Sequence, residues 1–216
     1  MFWLILNLLS LSVGAQDEWK NIYRESAWKE RDEWQRPSDL IKLLAVKPGY
    51  NVADIGCHEG YMTIKLASAV TGNGKVYGVD VKEPALTLLK KHLEERAIAN
   101  VTLIKGDYDD PKLPANTLDG VIILDTYHEM DDHDKMLLKI KEALKPGGRL
   151  LICDPIAEER RKLSRQTQEK SHELGIAYAL EDLSKAGYKV LYQKDPYVDR
   201  KAVKGDMMWV IVAVKK

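Results

Sequence analysis

Val52-Ala53-Asp54-Ile55-Gly56-Cys57-His58-Glu59-Gly60-Tyr61 is the stretch that decides how the chain folds. It reads as a short buried strand ending in an acidic residue, a glycine-punctuated turn, and the first residue of a helix. Glycine at 56 and 60 lets the backbone approach a ligand with no side chain in the way. The helix start adds unpaired N–H groups. Strand, turn and helix together make a small-molecule cradle, and the chain around it decides which molecule.

Downstream, strands and helices alternate. Met62, Leu66 and Val70 mark a helix that stops at Thr71-Gly72-Asn73-Gly74. Lys75 to Asp80 is a second strand, again ending in an acid, and Pro84 opens a helix with Leu86, Leu89 and Leu93 inward. Val101 to Lys105 is a third strand leading into Gly106-Asp107, and Asp119 to Asp125 a fourth, apolar through its centre. Met136, Ile140 and Leu144 give the next helix, closed by the turn Lys145-Pro146-Gly147-Gly148, before a fifth strand from Arg149 to Asp154. This order predicts an α/β, Rossmann-like, mostly parallel sheet with helices on both faces and ligands beyond the carboxyl ends of its strands. Ala157 to Glu173 is densely charged, a solvated helix or loop placed where a lid would be. A helix follows over Leu174 to Leu183. Tyr188 to Tyr192 and Met208 to Val214 read as strands joined without a helix, hence an antiparallel pair.

The first 15 residues stand apart. Phe2 to Val13 is nearly all apolar and exits through Val13-Gly14-Ala15, although no Lys or Arg precedes it. A dozen apolar residues fit a signal peptide and fall short of the roughly 20 that span a bilayer. The expectation is export to the periplasm, with membrane-surface anchoring or a cytoplasmic structural helix as alternatives. Residues 16–47 read as a helical arm with Trp19, Ile22, Tyr23, Trp28 and Trp34, and Ser38 as the cap of its last helix; residues 48–216 form the domain. The tryptophans either anchor the arm or, through Trp34-Gln35-Arg36-Pro37, close over a ligand. With 33 basic and 33 acidic residues, no net field recruits nucleic acid. The two cysteines, Cys57 and Cys153, end strands two places apart, about 10 Å by strand spacing, and are expected as free thiols.

The acids set the ligand class. Asp54 ends strand one, Asp80 ends strand two and Asp107 follows strand three. An acid about 20 residues past a glycine turn is placed for ribose hydroxyls. Asp54 and Glu59 beside that turn would repel a pyrophosphate and suit a cofactor with a cationic end. On these residues the chain resembles the class I S-adenosylmethionine (SAM)-dependent methyltransferases over roughly residues 37 to 216. It is most similar to small bacterial members with a Trp-Gln-x-Pro arm, here Trp34-Gln35-Arg36-Pro37. The resemblance implies SAM as cofactor. It implies that Asp54, Gly56 and Gly60 hold the methionine end, Asp80 the ribose, Asp107 and Tyr108 the adenine, and that Asp125 borders the sulfonium. The family turn is Asp-x-Gly-x-Gly-x-Gly, and His58 stands at its central glycine.

Methyl transfer to a small-molecule acceptor is the expected reaction, carried mostly by alignment. His128 is the best-placed base and Tyr127 could shape the acceptor pocket. An exported, non-catalytic domain of the same fold is the alternative. Asp125, His128, Glu129, Asp131, Asp132 and His133, with His58 and His172, form a polar cluster of metal-binding types. Asp131 and Asp132 equally serve as helix caps, and no metal ligand is assigned from sequence.

Overall fold

The computed structural model describes residues 19–215. The expected signal peptide lies outside these residues. Among them no helix is long and apolar enough to cross a membrane.

Strands β1 (Asn51–Ile55), β2 (Lys75–Asp80), β3 (Val101–Lys105), β4 (Leu118–Leu124), β5 (Leu144–Ile156), β6 (Tyr188–Arg200) and β7 (Asp206–Lys215) form one sheet. Their order is β3-β2-β1-β4-β5-β7-β6. β1 to β5 pair in parallel, and β7 runs antiparallel between β5 and β6. The α/β, Rossmann-like architecture with its closing antiparallel pair is therefore as read from the sequence. Helices are α1 (Trp28–Gln35), α2 (Pro37–Leu44), α3 (Tyr61–Val70) and α4 (Glu83–Glu95) in the first half. The second half carries α5 (His133–Ala143), α6 (Arg165–Lys170), α7 (Ile176–Lys185) and α8 (Lys201–Lys204).

The central strands are apolar runs because both faces are covered. On one face Leu137, Ile140 and Leu183 pack with Val121, Ile123, Ile152 and Trp209. On the other, Leu40, Leu44, Leu66 and Val70 pack with Val52, Ile122 and Val210. The arm joins this second core: Trp28 and Trp34 lie against it, and the buried Gln35 amide sits 3.4 Å from the Met208 sulfur. Anchoring thus accounts for Trp28 and Trp34.

Several boundaries differ from expectation. β5 begins at Leu144, which pairs with Leu118 before the register resumes at Gly120 and Arg149. Lys145-Pro146-Gly147-Gly148 is accordingly a bulge within the strand, with Gly147 at φ +76°. Ser38 is not a cap, because α2 starts at Pro37 behind Arg36 at φ +55°. Between β6 and β7 there is a single helical turn, α8, ended by Gly205 at φ +80°. The charged segment after β5 is held together by an Arg160–Glu173 ion pair and tied to β6 and α7 by Arg161–Asp195 and Arg165–Asp182, so its charges fix it to the domain.

Candidate active site

The strand order reverses between β1 and β4, and such a switch point opens a crevice at the carboxyl ends of the strands. A cavity of about 620 Å³ lies there, walled by the arm, the turn after β1, and the ends of β2, β3 and β4. The turn is built from left-handed backbone: Gly56 at φ +76°, His58 at +47° and Gly60 at +99°. A Cβ on Gly56 would fall 2.3 Å from Thr126, and one on Gly60 2.2 Å from Leu89. Gly56 is thus required by packing as well as by backbone conformation, and Gly60 by its backbone conformation. His58 adopts the same conformation with a side chain, which lies over Tyr23 at 6.5 Å between rings.

Asp54 is buried and accepts a 2.6 Å hydrogen bond from the Thr63 hydroxyl of α3. Burial pushes its carboxyl up to about 6, against the pull of Thr63 and Arg31. Asp80 ends β2 with one oxygen accepting from the His58 N–H at 2.9 Å and the other from the Lys82 N–H at 2.8 Å. Both oxygens keep a lone pair for a ligand. Asp107 and the exposed Tyr108 form the wall beyond β3, Asp107 paired with Lys112 at 2.9 Å.

Asp125 does not present a free carboxylate. Arg200 grips it through two nitrogens at 2.7 and 3.2 Å, and the Tyr23 hydroxyl donates to it at 2.7 Å. Burial opposes its charge, but Arg200 and Lys204 hold it well below the usual carboxylate range. Arg200 also grips Asp206, so β6, β7, β4 and the arm meet in one buried ionic knot at the cavity wall.

His128 lines the cavity, with Nδ1 3.0 Å from Asp154 and Nε2 3.4 Å from Glu129. Burial disfavours its cation, but Asp154 and Glu129 outweigh that and raise its pKa to about 10. At neutral pH this imidazole is protonated, unlike the base expected from the sequence. Tyr127 is fully buried and turned away from the cavity, its hydroxyl 3.0 Å from Asp182, which corrects the expectation that it shapes an acceptor pocket. His133 also points inward, to the Tyr127 carbonyl at 2.9 Å. Asp132 caps α5 as expected, accepting from the Lys135 N–H.

Sequence reasoning missed Arg31, Arg200, Asp154 and Thr63. Arg31 is the most telling. It is 6 % exposed, its guanidinium lies 4.0 Å over the Tyr61 ring, and it reaches the cavity from α1. It has no ion pair among the described residues; it donates to Gln35 at 3.3 Å, and its Nε has no partner. A buried cation that lines the cavity is placed to take an anionic group there. Both cysteines are buried free thiols, as expected.

Residues 46–197 match the family described as methyltransferase domain. An uncharacterised methyltransferase of Geobacillus sp. is 25% identical over 94% of this chain and 98% of its own length. A demethylmenaquinone methyltransferase of Bacillus mycoides is 31% identical over 61% of this chain, which spans 52% of that enzyme. A SAM-dependent methyltransferase from Aquifex aeolicus superimposes with a TM-score of 0.74 at 25% identity, over 90% of this chain and 100% of its own. The fold, the acid series at the strand ends and these relatives agree: the chain is an enzyme belonging to the class I SAM-dependent methyltransferase family.

Proposed function

We propose that the cavity holds SAM with its amino-acid end between Asp54 and Arg31, and that the enzyme methylates a small-molecule acceptor. The observation that carries this reading is the buried Arg31 guanidinium beside Asp54, which has no ion pair among the described residues and whose Nε has no hydrogen-bond partner. A zwitterion with one ammonium and one carboxylate satisfies both. Asp80 takes the ribose hydroxyls with its spare lone pairs, and Asp107 and Tyr108 frame the adenine. Bound there, the cofactor supplies an electrophilic methyl carbon on a sulfonium.

The chain's own contribution is alignment and exclusion of water. Tyr23 and Asp125, held by Arg200 behind them, form one wall of the cavity, and fixing acceptor and methyl carbon in line yields effective molarities of about 10⁵ M or more. His128, Glu129 and His172 border the end left for the acceptor. The enclosing arm supports a small acceptor over a macromolecular one. The demethylmenaquinone relative supports the same class.

Calorimetric titration with SAM and with adenosine tests the pose. At 100 times Kd, SAM stabilises the fold by about 2.7 kcal/mol. Arg31→Met weakens SAM about 10–100-fold, the worth of a hydrogen bond to a charged group, and leaves adenosine, which lacks the amino-acid end, unchanged. Equal weakening of both ligands would sink the assignment.

Asp54 adds a pH signature. Its folded-state carboxyl titrates at about 6, above the unfolded value. The free fold therefore holds an extra proton between about pH 4 and 6 and loses stability as pH rises through that window. Pairing with an ammonium needs the carboxylate, so SAM binding expels the proton. Affinity is full above pH 6 and about tenfold lower at pH 5. Adenosine, titrated in parallel, shows no such slope; a flat SAM profile would remove Asp54 from the site.

A further inference from the structure

At the acceptor end of the cavity three side chains converge that the cofactor pose leaves unused. His128 Nε2 lies 3.4 Å from a Glu129 oxygen, and His172 Nδ1 lies 2.5 Å from the same oxygen. Their three donor atoms all fall within 4.8 Å of one another. Nitrogen and oxygen ligands sharing one ion at about 2.0–2.2 Å stand about 3–3.5 Å apart, so the His172–Glu129 contact opens as an ion enters while the His128–Glu129 spacing already fits.

Two further features look built for ligation. Behind His128, the other ring nitrogen meets Asp154 at 3.0 Å, and Asp154 is fully buried. The backbone N–H groups of Tyr127 and His128, each at 3.1 Å, hold that carboxylate in place. A carboxylate at the back of an imidazole fixes its orientation and leaves Nε2 to ligate. His172 sits at φ +57°, uncommon for a residue with a side chain. The turn that carries it is pinned on both sides. The buried Gln168 amide donates to the Arg160 carbonyl at 2.9 Å and accepts from the Gly175 N–H at 2.8 Å. Glu173 accepts from the Ala157 N–H and from Arg160, both at 2.8 Å. An exposed histidine is thus held at a strained position by a rigid frame, facing Glu129. A second grouping, Asp125, His128 and Asp154, is less suitable, because Arg200 and Tyr23 already engage Asp125.

We propose that His128, Glu129 and His172 bind one divalent transition-metal ion, whose open positions face the cavity and take an oxygen, nitrogen or sulfur donor of the acceptor. Two imidazoles and a carboxylate suit zinc, iron(II), cobalt or manganese. The ion displaces the proton that His128 holds, which passes to solvent, and replaces the hydrogen bonds that otherwise join the three side chains, so binding tightens as pH rises. Coordination would lower the pKa of the acceptor's donor group, whose proton would pass to solvent; its lone pair would then bond to the methyl carbon as the methyl–sulfur bond breaks and leaves a neutral thioether. The acceptor role rests on the proposed methyl transfer; the metal site does not.

The test uses the full chain, stripped with a chelator and titrated with cobalt(II) and with zinc(II). The expected result is one equivalent bound, with visible cobalt absorption bands that shift when azide is added. His172→Ala and Glu129→Gln each weaken binding at least about tenfold, whereas Cys57→Ser and Cys153→Ser leave it unchanged. SAM affinity of the stripped His172→Ala protein, measured alongside, stays at the parent value, which separates failure of the metal site from failure of the cofactor pose. Absence of stoichiometric binding, or binding indifferent to His172 and Glu129, overturns the proposal. Loss in the serine variants would move the ligands to the thiols and overturn it as well. Cobalt bands that ignore azide would mean a closed site and overturn the acceptor role.

Discussion

Arg200→Met lowers the unfolding free energy by about 3–5 kcal/mol, the cost of stranding buried charge when one partner of an ion pair is removed. The Arg200 side chain is 0% exposed, and it serves two carboxylates, Asp125 at 2% and Asp206 at 1%. Methionine fills similar space but neutralises neither. The two acids respond by taking protons, which makes the loss larger at pH 8 than at pH 5. Urea unfolding at both values measures it. A loss under about 1 kcal/mol, typical of surface pairs, would show that the knot contributes no more than an exposed one. Adding Asp125→Asn and Asp206→Asn to the methionine variant returns part of the stability, because the stranded charges are then gone.

Asp80→Ala weakens SAM by about 100-fold or more. Two hydrogen bonds from ribose to a charged group are lost, each worth about 1.5–3 kcal/mol. The substitution also frees the His58 and Lys82 N–H groups that hold the turn. Asp80→Asn keeps one carbonyl acceptor and falls between, about tenfold down. Unlike Arg31→Met, both Asp80 variants weaken adenosine too, since the ribose is common to the two ligands. Calorimetry with the ligand pair reads this directly. Undiminished adenosine binding by Asp80→Ala would remove Asp80 from the ribose.

The parts of the site that were legible in the sequence are local ones. Asp54 and Asp80 stand out because a strand covered on both faces is an apolar run, so an acid at its end is conspicuous. Gly56 and Gly60 stand out for the turn they permit. The parts that were not legible are long-range. Arg200 and Asp125 are 75 residues apart, and nothing near either one names the other. Arg31 looks like one charge among many in a charged arm, and only the fold shows it buried over Tyr61 with no hydrogen-bond partner for its Nε. Tyr127 and His128 are adjacent, but the 3₁₀ turn Tyr127–Glu129 sends one into the core and the other into the cavity. Periodicity in so short a turn carries no facing information. The strand boundaries failed for a related reason: a bulge between Leu118 and Gly120 lets β5 take in a segment rich in glycine and proline.

The Tyr23–Asp125–Arg200–Asp206 knot also sets a timetable. On the ribosome, Tyr23 and Asp125 emerge well before Arg200, and at about 5–20 residues per second the 75-residue gap lasts about 4–15 s. During that interval the first five strands can assemble with the Asp125 carboxylate still unneutralised. The arm therefore gains its final anchor only when the last hairpin is translated. The wall that the arm and Asp125 share is thus completed after most of the site has been synthesised.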